Sequence, residues 1–449
     1  MDITALIPQF GSLIWTVAAF VLALSVIVAI HEYGHYIVGR WSGIRADVFS
    51  IGFGPVLWSR VDRRGTRWQV AALPFGGYVK FAGDSNAASG KDEAAMKALE
   101  GDAEGLRTTM HGAPLWARAA TVAAGPLFNF ALSIVIFAAV LLASGVQRDP
   151  LTIASLIPMP ETVGDLRAGD ELLGISGRPM PDPEDPAAGD FYDTLPELAV
   201  LDYTVRRDGV EMEVQGPYLM PPMVKGLVPQ SAAMDAGLQV GDLITAIDGQ
   251  PIFAFDQLKA AVEGGEGAPL DLTVWRDGRE VHVTLAPKRM DEPQAEGGFV
   301  NNWRIGIAGG LVFEAATETP GLGHALWGGV SQVGRIMEGS ISGLSHMISG
   351  AISTCNLSGP IGIAQTSGAM ASQGPASFIW FIAVLSTAVG LLNLFPIPAL
   401  DGGHLVFYAY EAVSGRPPSD GALRVLMTAG LALVLTLMVF ALGNDIFCP

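Results

Sequence analysis

Charge is scarce in this chain, and basic charge is scarcer still. Only 16% of the 449 residues are Asp, Glu, Lys or Arg, where a water-soluble domain carries about a quarter. Lys+Arg number 26 against 44 Asp+Glu, and the formal charge of -18 repels phosphate backbones, so no nucleic-acid partner is expected. Cysteine is almost missing. Cys355 and Cys448 are too few for a disulfide scaffold, show no C-x-x-C spacing for zinc or redox work, and read as incidental. What the chain does have is 50% hydrophobic residues, gathered into runs without any charge. That combination excludes an ordinary soluble globule and indicates an integral membrane protein.

The uncharged runs are Ile3 to Ile30, Ala119 to Gln147, Gly339 through Leu400 (most apolar after Ser377) and Val425 to Asn444. At about 1.5 Å per residue, a helix from Phe10 onward already crosses a hydrocarbon core of about 30 Å. The first run lacks the basic n-region and cleavage site of a signal peptide and is read as retained. Four spans put both termini on one side. Basic residues resist translocation, and they crowd the segment from Arg40 to Arg118 and recur at Arg416 and Arg424. Both of those loops are therefore expected in the cytoplasm. The termini and the segment from Arg148 to about Gly374 are expected outside, which in a bacterium is the periplasm.

The outer segment contains a duplication. Gly169-Asp170 precedes Gly177-Arg178-Pro179, and Gly241-Asp242 precedes Gly249-Gln250-Pro251 at the same spacing. Each copy then reaches a period-two hairpin closed by Asp-Gly, at Asp208-Gly209 and Asp277-Gly278. The string from Ala236 to Gly249 closely resembles bacterial PDZ domains. The first copy is a looser version with a Pro/Asp-rich insertion from Pro179 to Pro186, and reads as a spacer more than a peptide pocket. A different β signal lies in the first cytoplasmic loop, where Phe49 to Pro55 and Trp68 to Lys80 form apolar, Gly-punctuated hairpin material around the turn Asp62 to Gly65. Open strands do not face lipid, so this hairpin must be covered by helices or line a wet cavity.

At the inner end of the first span the sequence reads His31-Glu32-Tyr33-Gly34-His35. Positions i and i+4 share a helix face, so both imidazoles can bind one Zn²⁺, with Glu32 placed as general base for a water at the metal. The motif lies five to nine residues before the interfacial Arg40, on the order of 7 to 13 Å below the cytoplasmic surface. A catalytic zinc takes three protein ligands and keeps an open position, so another span must supply the third. Asp401, in Asn393-Leu-Phe-Pro396-Ile-Pro398-Ala-Leu-Asp401-Gly-Gly, is the best candidate, and His404 is its rival. The two prolines and the Gly pair should open the helix there.

Together, His-Glu-Tyr-Gly-His, the Asn393 to Gly402 string, Gly125-Pro126-Leu-Phe-Asn129-Phe130, Leu357 to Ala364 and the paired PDZ-like modules resemble the site-2 protease family, of the regulator of sigma-E protease (RseP) type. The resemblance spans nearly the whole chain. It implies an intramembrane zinc endopeptidase with one Zn²⁺ on His31, His35 and Asp401 and Glu32 as catalytic base. It also implies that Asn393 and the loop with Pro396 and Pro398 hold the substrate backbone. The hairpin with Gly52, Phe53, Gly54, Gly76, Gly77 and Tyr78 would be a membrane-reentrant element that receives an unwound substrate segment. The substrate it implies is a transmembrane protein among membrane lipids, such as a single-pass anti-sigma factor already trimmed outside, or remnant signal peptides.

The expected architecture is a polytopic α-helical membrane protein of four transmembrane helices with a membrane-associated β-hairpin and two periplasmic PDZ-like domains. The first helix takes residues 1–40, the cytoplasmic loop with its hairpin 41–114, and the second helix 115–147. The PDZ-like modules take 148–222 and 223–290, and a linker with an amphipathic helix 291–375. The third helix takes 376–410, and the fourth with the tail 411–449. The competing reading is a PDZ-bearing membrane scaffold with a non-catalytic metal site. A zinc transporter is disfavoured because spans two and four offer almost no polar residues beyond Asn129.

Overall fold

A computed structural model describes residues 6–85, 90, 92–99, 101–160, 163–181, 191–192, 194–293 and 298–448. Most of the expected insertion from Pro179 to Pro186 lies outside the described residues. The chain divides into two compact units, one of residues 1–140 and 322–449 and one of residues 141–321.

In the first unit, α1 (Leu6–Trp41) runs through an apolar stretch and ends at Arg40-Trp41, beyond the His-Glu motif. It leads into β1 (Ala46–Val61) and β2 (Arg67–Phe81). These long strands bend, so that Val48 to Ile51 pair with Lys80 to Gly77 on one side and with Arg67 to Val70 on the other, while Val56 to Val61 pair with Ala71 to Arg67. Gly52 and Gly54, both at positive φ, sit at the bend, where a backbone angle near +85° excludes most side chains. The outcome is a sheet of four strand segments side by side instead of a simple hairpin. Its part near α1 buries Phe49, Val79 and Phe81 with Tyr36, while Phe53, Val56, Leu57, Trp58 and Leu73 beyond the bend are exposed, so the expected cover extends over only part of the ribbon. Two short helices, α2 (Glu93–Ala98) and α3 (Ala103–Arg107), begin at Asp92 and Asp102, whose carboxylates accept first-turn amides. Then comes α4 (Leu115–Ser144), which contains Pro126. It crosses α1 closely, because a Cβ on Gly34 would meet the Ala124 carbonyl at 2.5 Å.

The second unit holds two four-stranded sheets of one design. One is ordered β6-β5-β7-β8 (Arg178–Pro179, Glu171–Ile175, Val200–Arg207, Val210–Pro217) and the other β11-β10-β12-β13 (Gln250–Pro251, Leu243–Ile247, Leu270–Arg276, Arg279–Leu285). In each, a buried aspartate receives the fork of an arginine from the third strand in chain order. Arg207 reaches Asp170 at 2.7 Å through Nε and Nη2, and Arg276 reaches Asp242 at 2.6 Å the same way. The hairpin turns Asp208-Gly209 and Asp277-Gly278 have positive φ at both residues, the mirror-image turn that matches strand twist. The second unit also contains β3 (Val146–Gln147), β4 (Ile153–Leu156), β9 (Gly226–Leu227), α5 (Ala232–Asp235) and α6 (Phe255–Gly264).

The segment expected as a linker from 291 departs from that reading. β14 (Lys288–Pro293) and β15 (Phe299–Arg304) form a hairpin, β16 (Ile307–Ala308) pairs β9, β17 (Phe313–Ala315) pairs β4, and β18 (Thr317–Glu318) pairs β3. Ile305 is buried in the core of the second sheet, and Val312 and Phe313 in that of the first. Strands of two or three residues are too short to show a period, which hid them in the sequence.

The chain returns to the first unit as α7 (Leu322–Ile348), α8 (Pro360–Ser372), α9 (Pro375–Leu394), α10 (Asp401–Ser414) and α11 (Asp420–Phe447). Among the described residues, four helices are long and apolar enough to cross a membrane: Leu13–Trp41, Leu115–Ser144, Pro375–Leu394 and Asp420–Phe447. The expected third span of 376–410 is broken, since α9 ends at Leu394 and α10 begins at Asp401 after the two prolines. Cys355 and Cys448 are not incidental, because they form a disulfide across 93 residues. Beside it the Asp445 carboxylate accepts the amides of Gly359 and Ile361 at the start of α8, at 2.7 and 2.9 Å. A partner so distant in sequence, without a spacing motif, becomes visible only when the ends of α8 and α11 meet.

Candidate metal centre

His31 and His35, one turn apart on α1, direct their Nε2 atoms to within 3.1 Å of each other. Asp401, the first residue of α10, brings Oδ2 to 3.1 Å from His31 Nε2 and 3.5 Å from His35 Nε2. These three ligand atoms lie within 4.8 Å of one another and could hold a metal. Two observations say that the donor set suits a cation. Asp401 Oδ2 is buried and makes no hydrogen bond among the described residues. The spacings are also those of a tetrahedral zinc shell, in which donors at ~2.0–2.1 Å from the ion sit about 3.3 Å apart.

Local sequence explains how Asp401 gets there. After α9 the Phe395–Leu400 turn folds back under the first turn of α10, so close that side chains at Gly402 and Gly403 would strike the carbonyls of Leu394, Phe395 and Ile397. Pro398 packs against Gly430 of α11. Asn393 donates from Nδ2 to the Val389 carbonyl at 3.1 Å, closing the last turn of α9. His404, the rival ligand, lies one turn further along α10 and lines the same cavity without joining the group of three.

That cavity, of about 810 Å³, is lined by His31, Glu32, His35, Gly77, Tyr78, Asn393, Asp401 and His404, and beyond them by Arg118, Tyr408 and Glu411. Glu32 takes a backbone hydrogen bond from Val79, at the edge of the ribbon strand that carries Gly77. A Cβ at Gly77 would lie 3.1 Å from the Glu32 side chain, so glycine lets the strand edge approach the carboxylate. Of the residues expected to touch substrate, Gly77, Tyr78 and Asn393 line the cavity; Gly52, Phe53, Gly54, Gly76, Pro396 and Pro398 do not. Phe53 instead stacks on Tyr78 at 5.9 Å.

Sequence reading missed the contribution of α4. His35 Nδ1 lies 2.9 Å from the Thr121 carbonyl, His31 Nδ1 lies 3.2 Å from Asn129 Nδ2, and Gly125 faces both rings with no room for a Cβ. Further along, Arg118 grips Glu411 of α10 with two hydrogen bonds, at 2.6 and 3.0 Å. The available signal was the fourfold spacing Thr121, Gly125, Asn129, Ser133 in an otherwise apolar helix.

These features define a membrane-embedded metalloprotease class: a His-Glu-x-x-His helix and an aspartate from a broken partner helix inside an apolar bundle. A profile of peptidase family M50 matches residues 19–437. The chain is 37% identical to a zinc metalloprotease homologue of Agrobacterium fabrum over 440 residues, 97% of each chain. It is 33% identical to the metalloprotease MmpA of Caulobacter vibrioides, over 98% of this chain and 96% of that one. It is also 32% identical to the regulator of sigma-E protease RseP of Salmonella typhimurium, over 97% of this chain and 99% of that one. The chain belongs to peptidase family M50 and is a site-2-type zinc metalloprotease.

Proposed function

We propose that this protein cuts transmembrane segments of single-pass membrane proteins inside the bilayer, with His31, His35 and Asp401 as ligands of one zinc ion and Glu32 as the general base. The convergence of three ligand atoms beside Glu32, at the inner end of an apolar helix, carries this reading. Zinc held there supplies a Lewis acid that eases deprotonation of a water and polarises a peptide carbonyl. The protein's own groups do the rest. Glu32, oriented by the Val79 amide, takes the proton of the attacking water and returns it to the leaving amine. A helical substrate hides its carbonyls in its own hydrogen bonds, so the scissile segment must be extended, and the strand edge at Gly77 to Phe81 can hold it by main-chain pairing. Asn393, which lines the cavity with Asp401, is a second support for the substrate backbone.

The relative named as a regulator of sigma-E protease supports an anti-sigma factor as substrate class. The basic loops support an inner-membrane topology with both termini in the periplasm, as does the disulfide, which persists in an oxidising compartment. The matched sheets of residues 141–321, with their paired Gly-Asp and Asp-Gly turns, support two PDZ-like modules in the periplasm. The test is Glu32→Gln. This variant should keep its zinc and its fold but lose cleavage of a model transmembrane substrate; undiminished cleavage would sink the mechanism, and equal inactivity of wild type would favour the scaffold.

A further inference from the structure

The two imidazoles of the centre are held from behind by different groups. His35 Nδ1 faces the Thr121 carbonyl, which only accepts, so that nitrogen carries the proton and Nε2 keeps its lone pair. His31 Nδ1 faces the amide Nδ2 of Asn129, which only donates, while Asn129 Oδ1 is buried and unpartnered among the described residues. With the amide nitrogen toward the ring, His31 Nδ1 would have to accept and the ring proton would sit on Nε2. A protonated Nε2 has no lone pair for a metal. An asparagine amide presents its oxygen and nitrogen at equivalent ends of one plane, so a half-turn puts Oδ1 where Nδ2 stands. In that orientation the oxygen accepts from Nδ1–H, and Nε2 is free to ligate.

We propose that Asn129 is a positioning residue for the metal: its amide, 3.2 Å from His31 Nδ1, accepts from Nδ1–H through Oδ1 and so leaves Nε2 free to ligate zinc. This rests on the reading of His31, His35 and Asp401 as zinc ligands. The backbone carbonyl that serves His35 survives any substitution at Thr121, whereas the group that serves His31 is a side chain, so Asn129 is the support that mutation can remove. Loss of such a partner behind a ligating imidazole costs about 10- to 100-fold in metal affinity.

The experiment measures the zinc dissociation constant of the full-length protein in detergent, by competition with a chromophoric chelator. It compares wild type with Asn129→Leu, Asn129→Asp and Ser386→Ala. Asn129→Leu should bind zinc about 10- to 100-fold more weakly. Asn129→Asp, whose carboxylate accepts in either orientation, should match or exceed wild type. Ser386 donates to the Asn129 backbone carbonyl at 3.0 Å, so Ser386→Ala loosens the same helix contact without touching His31 and should leave the affinity unchanged. The inference is overturned if Asn129→Leu binds as wild type does, if Asn129→Asp is tenfold weaker than wild type, or if Ser386→Ala falls with Asn129→Leu. A wild type that holds no zinc would overturn the metal reading and this inference with it, which separates the two failures.

Discussion

At Gly125 the cost of a single methyl group can be read directly from the site. A Cβ there would lie 2.9 Å from His31 Cε1 and closer still to His35 Nε2, and both rings are fixed from behind by α4 itself. Gly125→Ala should therefore displace an imidazole and lower zinc occupancy and cleavage together, by at least tenfold for a ligand moved off its geometry, as metal analysis and a cleavage assay would show. Asp401→Asn tests the ligand assignment from the other side: the neutral amide underfills the site, so zinc should be lost and cleavage abolished. His404→Ala should retain zinc, and the reverse pair of outcomes would make His404 the ligand. The His-Glu-x-x-His motif and Asp401 were legible in the sequence because each chemical role needs a particular side chain. Thr121 and Gly125 were not, because one acts through its backbone carbonyl and the other through the absence of a side chain.

Among the elements, apolar runs and Asp-Gly turns could be read from the sequence, while the joins between elements could not. The third uncharged run showed its break at the prolines before α10 but not its division into the end of α7, then α8 and α9, because small residues such as Gly359 and Gly368 fit tight helix contacts without changing hydropathy. The disulfide joins two such elements. Cys355 and Cys448 should resist thiol reagents until reductant is added, and in spheroplasts they should then react with a membrane-impermeant maleimide; labelling only after the inner face is opened would invert the topology. The paired sheets give a pH prediction. Burial alone would raise the Asp170 pKa, but hydrogen bonds from Arg207 and the Arg167 amide outweigh it and hold it below the ordinary carboxylate value. A depressed folded pKa contributes stability that is complete above the unfolded value of about 3.9 and is lost as pH falls through the folded value. The thermal stability of the full-length protein should thus fall below about pH 4, and Asp170→Asn should flatten that slope. Arg207→Met leaves the buried carboxylate unpaired at neutral pH and should cost about 3 to 5 kcal/mol.

At the scale of the whole molecule, the question is why a chain whose candidate metal ligands lie on α1 and α10 carries residues 141–321 as a separate folded unit. In chain order that unit is inserted between the second and third candidate spans. Two roles make opposite predictions. A recruiting module would use a peptide groove to raise the local substrate concentration, and its loss would slow every cleavage. A size filter would obstruct substrates by bulk, and its loss would admit those with large outer domains. The filter is the expected role, because the first sheet shows no sequence pattern of a peptide pocket yet is as fully built as the second, with the same buried Asp–Arg fork. Deleting residues 224–285 removes the second sheet, and the same transmembrane segment is then offered with and without its outer domain. The deletion should cleave the untrimmed substrate that wild type rejects, while the trimmed one changes by less than about twofold. Slower cleavage of both at normal zinc content would instead assign recruitment.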